Sequence, residues 1–505
     1  MLPRLIQGGM GVGVSGWVLA REVSLQGQLG VVSGTALDTI LVRRLGGGDP
    51  DGHVRRALAA FPIQGPVERV LKRYFCAEST KLNVAETSCD AENSDAELET
   101  SGGGIGQRFK LAPLPRAKLT PEREWLIVIA NFVEVYLAKE GHSGVVGINY
   151  LHKIQFPTLP SLYGAMLAGV DVVLMGAGIP GEVPGVLDRL TDHKDVSMTL
   201  DVLDAGDQKY FLTFDPMPLW KAEGAVDAPV LKRPRFLAIV SSVTLARALL
   251  KKAPGGIDGF VVEAPIAGGH NAPPRGVQQL SVRGEPIYGE RDEVNMADMA
   301  ALGVPFWLAG GFATRQKFEE AISVGAHGIQ VGTAFAFCAE SGLEPELRKH
   351  FLEAVVRGEG DIFTDPAASP TSFPFKVATL ESTLSEDGIY KERPRLCDLG
   401  YLRRAYRKED GTVGYRCPGE PEADYVKKGG KLEDTVGRKC LCNSLMANIG
   451  LGQRRADGYE EPPLLTAGND LACITPFIAN DRLSYHAKDV IASLIGNPQV
   501  TPTAQ

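Results

Sequence analysis

The chain has no basic run, no long apolar run and few cysteines. Lys and Arg total 53 against 61 Asp and Glu, a net charge of −8. No block of positive charge interrupts that balance. Nucleic-acid binders carry a basic stripe that neutralises phosphates, so nucleic acid is not expected as a partner. The longest apolar stretch, Ala165 to Gly181, contains Asp171 and several glycines, so no membrane span is expected. The first residues, MLPRLIQGGMGVGVSG, lack the continuous apolar segment of a secretory signal. Eight cysteines in 505 residues are too sparse for a disulfide framework. Aromatics make up only 7% against 58 glycines, which favours glycine turns over aromatic-rich β modules. Together these point to a cytoplasmic protein with reduced thiols.

What is present is a repeated strand–helix pattern. Eight short apolar runs end in small or polar residues: Arg4–Gln7, Leu29–Val32, Val145–Ile148, Asp171–Met175, Phe236–Val240, Gly259–Val262, Pro305–Ala309 and Gly328–Val331. They are continuous rather than alternating, as in a parallel sheet buried on both faces. Helical patterns stand between several of them, at Gly16–Leu25, Pro121–Glu140, Thr158–Ala168, Val243–Lys252 and Arg315–Val324. Eight such units predict a (β/α)₈ TIM barrel over residues 1–357, with an open doubly wound sheet as the other arrangement. Residues 76–112 and 203–234 read as insertions. The first has seven acids and one base between Cys76 and Thr100, a composition that builds no core. Residues 358–505 read as an irregular C-terminal extension, wrapped on the barrel or forming a small lobe.

In this fold chemistry lies at the C-terminal ends of the strands. Those ends read Gly8-Gly9-Met10-Gly11, Ser33-Gly34, Asn149, Gly176-Ala177-Gly178, Ser241-Ser242, Glu263, Gly310-Gly311 and Gly332-Thr333. One glycine end is an ordinary turn; eight in register make a rim for a large flat ligand. The glycine turns after strands 7 and 8 occupy the customary phosphate position of such barrels. Gly11 to Gly16 also matches GxGxxG after a strand. The second strand ends in Ser33-Gly34 with no acid for a ribose, so dinucleotide binding there is not expected. His270, in AGGHNAPP after strand 6, is a candidate proton-transfer residue. His327 reads as structural and His152 as a weaker rim candidate. Cys397, Cys417, Cys440 and Cys442 supply four thiols, enough for zinc or an iron–sulfur cluster. Their spacing matches no standard ligand pattern, so they read mainly as buried or free thiols and no metal is expected.

Several segments together resemble the nitronate monooxygenase (2-nitropropane dioxygenase) family of FMN-dependent barrels. They are IQGGMGVGVSG, GVVSGT, GINY, VVLMGAGIPG, IAGGHNAPPRG and WLAGGFATRQKFEEAISVGAHGIQVGTAF. The resemblance spans Ile6 to Phe335 apart from the insertions. It implies that Gly9, Met10 and Gly11 lie against the flavin, and that Asn149 hydrogen-bonds it. Gly176 and Gly268 would approach it, and Gly310, Gly311, Gln330, Gly332 and Thr333 would hold the FMN phosphate. His270 would be the catalytic base. Glu263 stands where the family has a flavin-contacting glutamine, and IAGGHNA replaces the family's EAGGHxG. The implied activity is oxidation of nitronates or nitroalkanes by O2 to a carbonyl compound and nitrite, with a small-molecule substrate and self-association left open. The same motifs serve NAD(P)H-dependent enoyl-acyl-carrier-protein or quinone reductases. A non-catalytic flavin-bound subunit docking through the Arg- and Pro-rich extension is the third reading.

Overall fold

The computed structural model describes residues 2–77, 108–225, 227–478 and 483–496. Eight parallel strands form one sheet: β1 Leu5–Gln7, β2 Gly30–Ser33, β3 Val146–Leu151, β4 Val172–Gly176, β5 Arg235–Val240, β6 Gly259–Glu263, β7 Phe306–Ala309 and β8 Gly328–Val331. Each pairs with its neighbour in chain order, and β8 returns to β1. The ring closes between β1 and β2, where Ile6 bridges Leu29 and the Gln7 amide donates to the Leu29 carbonyl at 3.0 Å. This is the expected barrel and excludes the open sheet. Its interior is a separate apolar plug of Leu2, Ile6, Leu29, Val31, Val172, Leu174, Leu237, Val261, Trp307 and Ala309. Side chains two residues apart on a strand share a face. Glu263 therefore follows Val261 inward, at the C-terminal mouth.

The helices begin where local chemistry permits. Thr120 accepts from the Arg123 amide, Pro121 opens the helix Pro121–Lys139, and Glu122 and Glu124 sit in its first turn, a favourable charge order for the helix dipole. Ser242 and Thr314 likewise cap the helices Val243–Lys252 and Arg315–Ser323.

The insertion at 203–234 carries secondary structure of its own: Tyr210–Phe214 pairs antiparallel with Val196–Leu200, and Asp215 caps a helix over Pro216–Ala222. Trp220 of that helix is buried edge-on against Trp125. The C-terminal extension holds short strands as well. Asp361–Asp365 pairs with Phe375–Thr379, and Arg404–Arg407 pairs with both Val413–Arg416 and Val202–Leu203. It shares one hydrophobic core with the barrel helices. Short strands of mixed polarity leave no periodic signal, which is why the sequence concealed them. A buried Arg123–Asp38 ion pair, to which the Tyr401 hydroxyl also donates, fastens the extension to the barrel. Most of the acidic insertion, residues 78–107, and the glycines 102–104 lie outside the described residues. No helix among the described residues is long and apolar enough to cross a membrane.

Candidate active site

The β1 loop is held open from beneath. Gln7 accepts from the Val31 amide and donates to Ser15, whose hydroxyl donates to the Gly8 carbonyl at 2.8 Å and accepts from the Met10 amide at 2.9 Å. Met10 is left facing the mouth. Gly9 must be glycine because an added Cβ would strike Asn149; Asn149 Nδ2 in turn reaches the Gly9 carbonyl at 3.4 Å. In the GxGxxG stretch, an added Cβ on Gly13 would meet Ile449 of the extension at 2.7 Å. That glycine serves close packing against the extension.

Gly9, Met10, Gly11, Asn149, Gly176, Glu263, Gly268, His270, Gly310, Gly311, Gln330, Gly332 and Thr333 all line a single cavity at the barrel mouth. The residues that the resemblance implies for the site are thus in one place. The register explains part of this: Glu263 pairs with Ala309, and Ala309 with Gln330, so these three share one level of the barrel. Gly310 and Gly311 have φ of +87° and +76°, which turns the backbone sharply after β7 in a way that only glycine adopts cheaply. His152 does not line the cavity; it packs beneath Gly178. His327 bonds the Leu2 carbonyl and lies edge-on to Trp307, as a structural histidine does.

The sequence reading missed the roof. Phe375, Leu445, Asn448, Leu465, Thr466, Ala467, Gly468, Asp470 and Cys473, all from the extension, line the same cavity. They clasp the loop after β6. The Gly269 amide donates to Thr466 Oγ1 at 3.0 Å, the Lys376 amide to the Gly269 carbonyl at 2.9 Å, and the Asn271 amide to the Pro374 carbonyl at 2.9 Å. Gly268 packs against the Ala467–Gly468 backbone, and the Gly468 amide donates to Thr333 Oγ1 at 2.9 Å. The only hint in the sequence was that the extension existed.

His270 Nε2 is 2.7 Å from Ser369 Oγ, and its ring meets Phe375 edge-on at 4.8 Å. Burial pushes its pKa down to about 4, so it is neutral at physiological pH. Glu263 has no hydrogen bond or ion pair among the described residues, and burial pushes it up to about 7. The surface that these two retain faces the cavity. An apolar enclosure disfavours the charged form of each, in opposite directions. Gln330 Oε1 is buried without a partner among the described residues, an unsatisfied acceptor that a ligand donor would complete.

Residues 230–358 match the model of the nitronate monooxygenase family. The matched segment runs from β5 to the helix after β8 and holds Glu263, His270, Gly310, Gly311, Gln330, Gly332 and Thr333. A probable nitronate monooxygenase of Bacillus subtilis (strain 168) is 35% identical over 142 residues, 28% of this chain and 37% of that protein. A (3aS,4S,5R,7aS)-5-hydroxy-7a-methyl-1-oxo-octahydro-1H-indene-4-carboxyl-CoA dehydrogenase of Mycobacterium tuberculosis (strain ATCC 25618 / H37Rv) is 24% identical over 208 residues, 39% of this chain and 55% of that protein. The matches therefore span about a third to a half of these relatives. Among solved structures, nitroalkane oxidase from Streptomyces ansochromogenes aligns at 13% identity and TM-score 0.43, over 98% of this chain and 95% of that one. FabK from Thermotoga maritima aligns at 14% and 0.44, over 97% and 91%.

Proposed function

We propose that the chain is an FMN-dependent oxidoreductase that oxidises nitronates with O2 to a carbonyl compound and nitrite. One observation carries this reading: the glycine rim, Asn149, Gln330 and His270 converge on one cavity at the barrel mouth. The residues fit the cofactor. Gly310, Gly311, Gly332 and Thr333 would hold the phosphate; Thr333 Oγ1 already accepts from Gly468, which leaves its own proton to donate. Gly9, Met10 and Gly11 would lie against the ring system, with Asn149, Gly176, Gly268 and Gln330 around it. FMN, when bound, supplies the electron transfer and the reduction of O2.

The chain's own groups set which substrate is favoured. With Nε2 committed to Ser369, Nδ1 of His270 has no hydrogen bond among the described residues and is the atom that would accept a proton. A base of pKa about 4 removes a carbon-bound proton poorly near neutral pH, because efficiency peaks when the pKa lies near the working pH. The site therefore suits a nitronate, already deprotonated, better than a neutral nitroalkane. Glu263 favours a second reading, an NAD(P)H-dependent reductase. A carboxyl of pKa about 7 is half protonated near neutrality and could donate the proton that reduction of a double bond needs.

The visible spectrum of the purified protein, followed by anaerobic additions, separates these. Flavin bands bleached by a nitronate alone support the oxidase reading, and bands bleached by NADPH alone support the reductase. A colourless protein that takes up no FMN refutes both.

A further inference from the structure

Outside the cavity, the fold gathers four cysteines far apart in sequence. Cys397 follows the helix Asp387–Glu392, Cys417 ends the strand Val413–Arg416, and Cys440 and Cys442 open the helix Leu441–Ala447. Contacts tie the three segments pairwise. Asn443 Nδ2 donates to Asp398 at 2.7 Å, beside Cys442 and Cys397. Arg395 donates to the Pro418 carbonyl at 3.2 Å, beside Cys397 and Cys417. An added Cβ on Gly419 would lie 3.5 Å from the Lys439 carbonyl and 3.7 Å from Cys417 Sγ, beside Cys440. All six pairs among the four thiols are close enough to interact electrostatically. None is in a disulfide.

The surroundings suit thiolate sulfur. Backbone amides lie beside three of the sulfurs: Gly419 by Cys417, Asn443 by Cys440, and Tyr401 and Leu402 by Cys442. The nearby acids are already neutralised: Asp398 by Arg455 at 3.1 Å, Glu420 by Lys428 at 2.9 Å and Glu461 by Arg393 at 2.5 Å. Arg403 faces Cys397 and has no carboxylate partner of its own among the described residues; it bonds the carbonyls of Gly400 and Pro115. A surplus positive charge thus remains at the thiols.

Among the described residues, no three His, Cys, Asp or Glu side chains close on a single metal ion. A tetrahedral zinc site would bring its sulfurs within about 2.3 Å of one centre. A larger occupant with four thiolate ligands is a better match. We propose that Cys397, Cys417, Cys440 and Cys442 hold an iron–sulfur cluster. It would sit at the start of the helix whose other end, at Leu445 and Asn448, forms part of the cavity roof, about 9 Å along the helix from Cys442 to Asn448.

The test is chemical analysis of the full chain purified without oxygen. Iron and acid-labile sulfide in equal amounts, with a paramagnetic signal after dithionite reduction, are expected. Cys417→Ser and Cys442→Ser should each lower both contents at least several-fold, while Cys338→Ser and Cys473→Ser leave them unchanged. If the purified chain holds no iron, anaerobic incubation with ferrous iron and sulfide should restore the cluster. Failure of the wild-type chain to take it up overturns the proposal, as does stoichiometric zinc without sulfide. Four thiols that alkylate freely in the native, iron-treated chain would overturn it too. None of these readouts depends on the flavin reading.

Discussion

Replacing Glu263 by Gln should change stability in a manner that depends on pH. The folded-state pKa is raised from 4.5 to about 7 by burial alone. Below about pH 4.5 both folded and unfolded states are protonated, and the group adds no pH dependence. Between about 4.5 and 7 the unfolded chain releases its proton while the folded chain keeps it, so stability falls as pH rises. Above 7 the loss is complete and constant. At about 1.4 kcal/mol per pKa unit, the full difference is on the order of 3 kcal/mol. Unfolding entropy of roughly 2 cal/mol/K per residue over 505 residues makes 1 kcal/mol worth about 1 °C. Glu263→Gln, which carries no charge at any pH, should therefore match the wild type at pH 4.5 and melt about 3 °C higher at pH 8. Thermal melts at both values, on protein freed of bound small molecules, decide it. An equal difference at the two pH values would refute the claim that Glu263 is held in an apolar, unpartnered site.

Other perturbations test other parts of the cavity. His270→Asn should lower kcat/KM for a neutral nitroalkane by about 10²-fold or more and for a preformed nitronate much less; equal losses would sink the proton-acceptor role. In the wild type, the acid limb of a pH–rate profile that reports His270 should lie near 4, since protonation there removes the acceptor, rather than near 6.5. Phe375→Ala should cost about 3–5 kcal/mol, because the ring is buried and braces His270; a melt unchanged within error would show that the roof packs otherwise. Gly311→Ala should cost about 1–2 kcal/mol for its left-handed backbone, compounded by a collision with Ile266. It should also weaken FMN binding, read by fluorescence titration, by about tenfold, or about 1.4 kcal/mol.

Much of the site was legible because a barrel's C-terminal rim is written at strand ends. Apolar runs mark β1 to β8, and the residue after each run is a rim position, so Gly8, Asn149, Glu263, Gly310 and Gly332 could be named from order alone. The hairpin was legible only in part: Val196–Leu200 alternates apolar and polar residues, but the exposed Phe211 breaks that alternation in Tyr210–Phe214. Thr466 and Phe375 were not legible as site residues either, since nothing local marks a segment that crosses the chain to cover a loop.

The sequence by itself determined the barrel, because strand burial and glycine turns are local properties repeated eight times. It also determined which rim residues could meet a ligand. Only the tertiary structure decided their chemistry. The neutrality of His270, the raised pKa of Glu263 and the meeting of Cys397, Cys417, Cys440 and Cys442 come from the extension folding back on the barrel and from enclosure that removes water. Desolvation and long-range proximity belong to no residue's own sequence neighbourhood, so no reading of spacing could have supplied them.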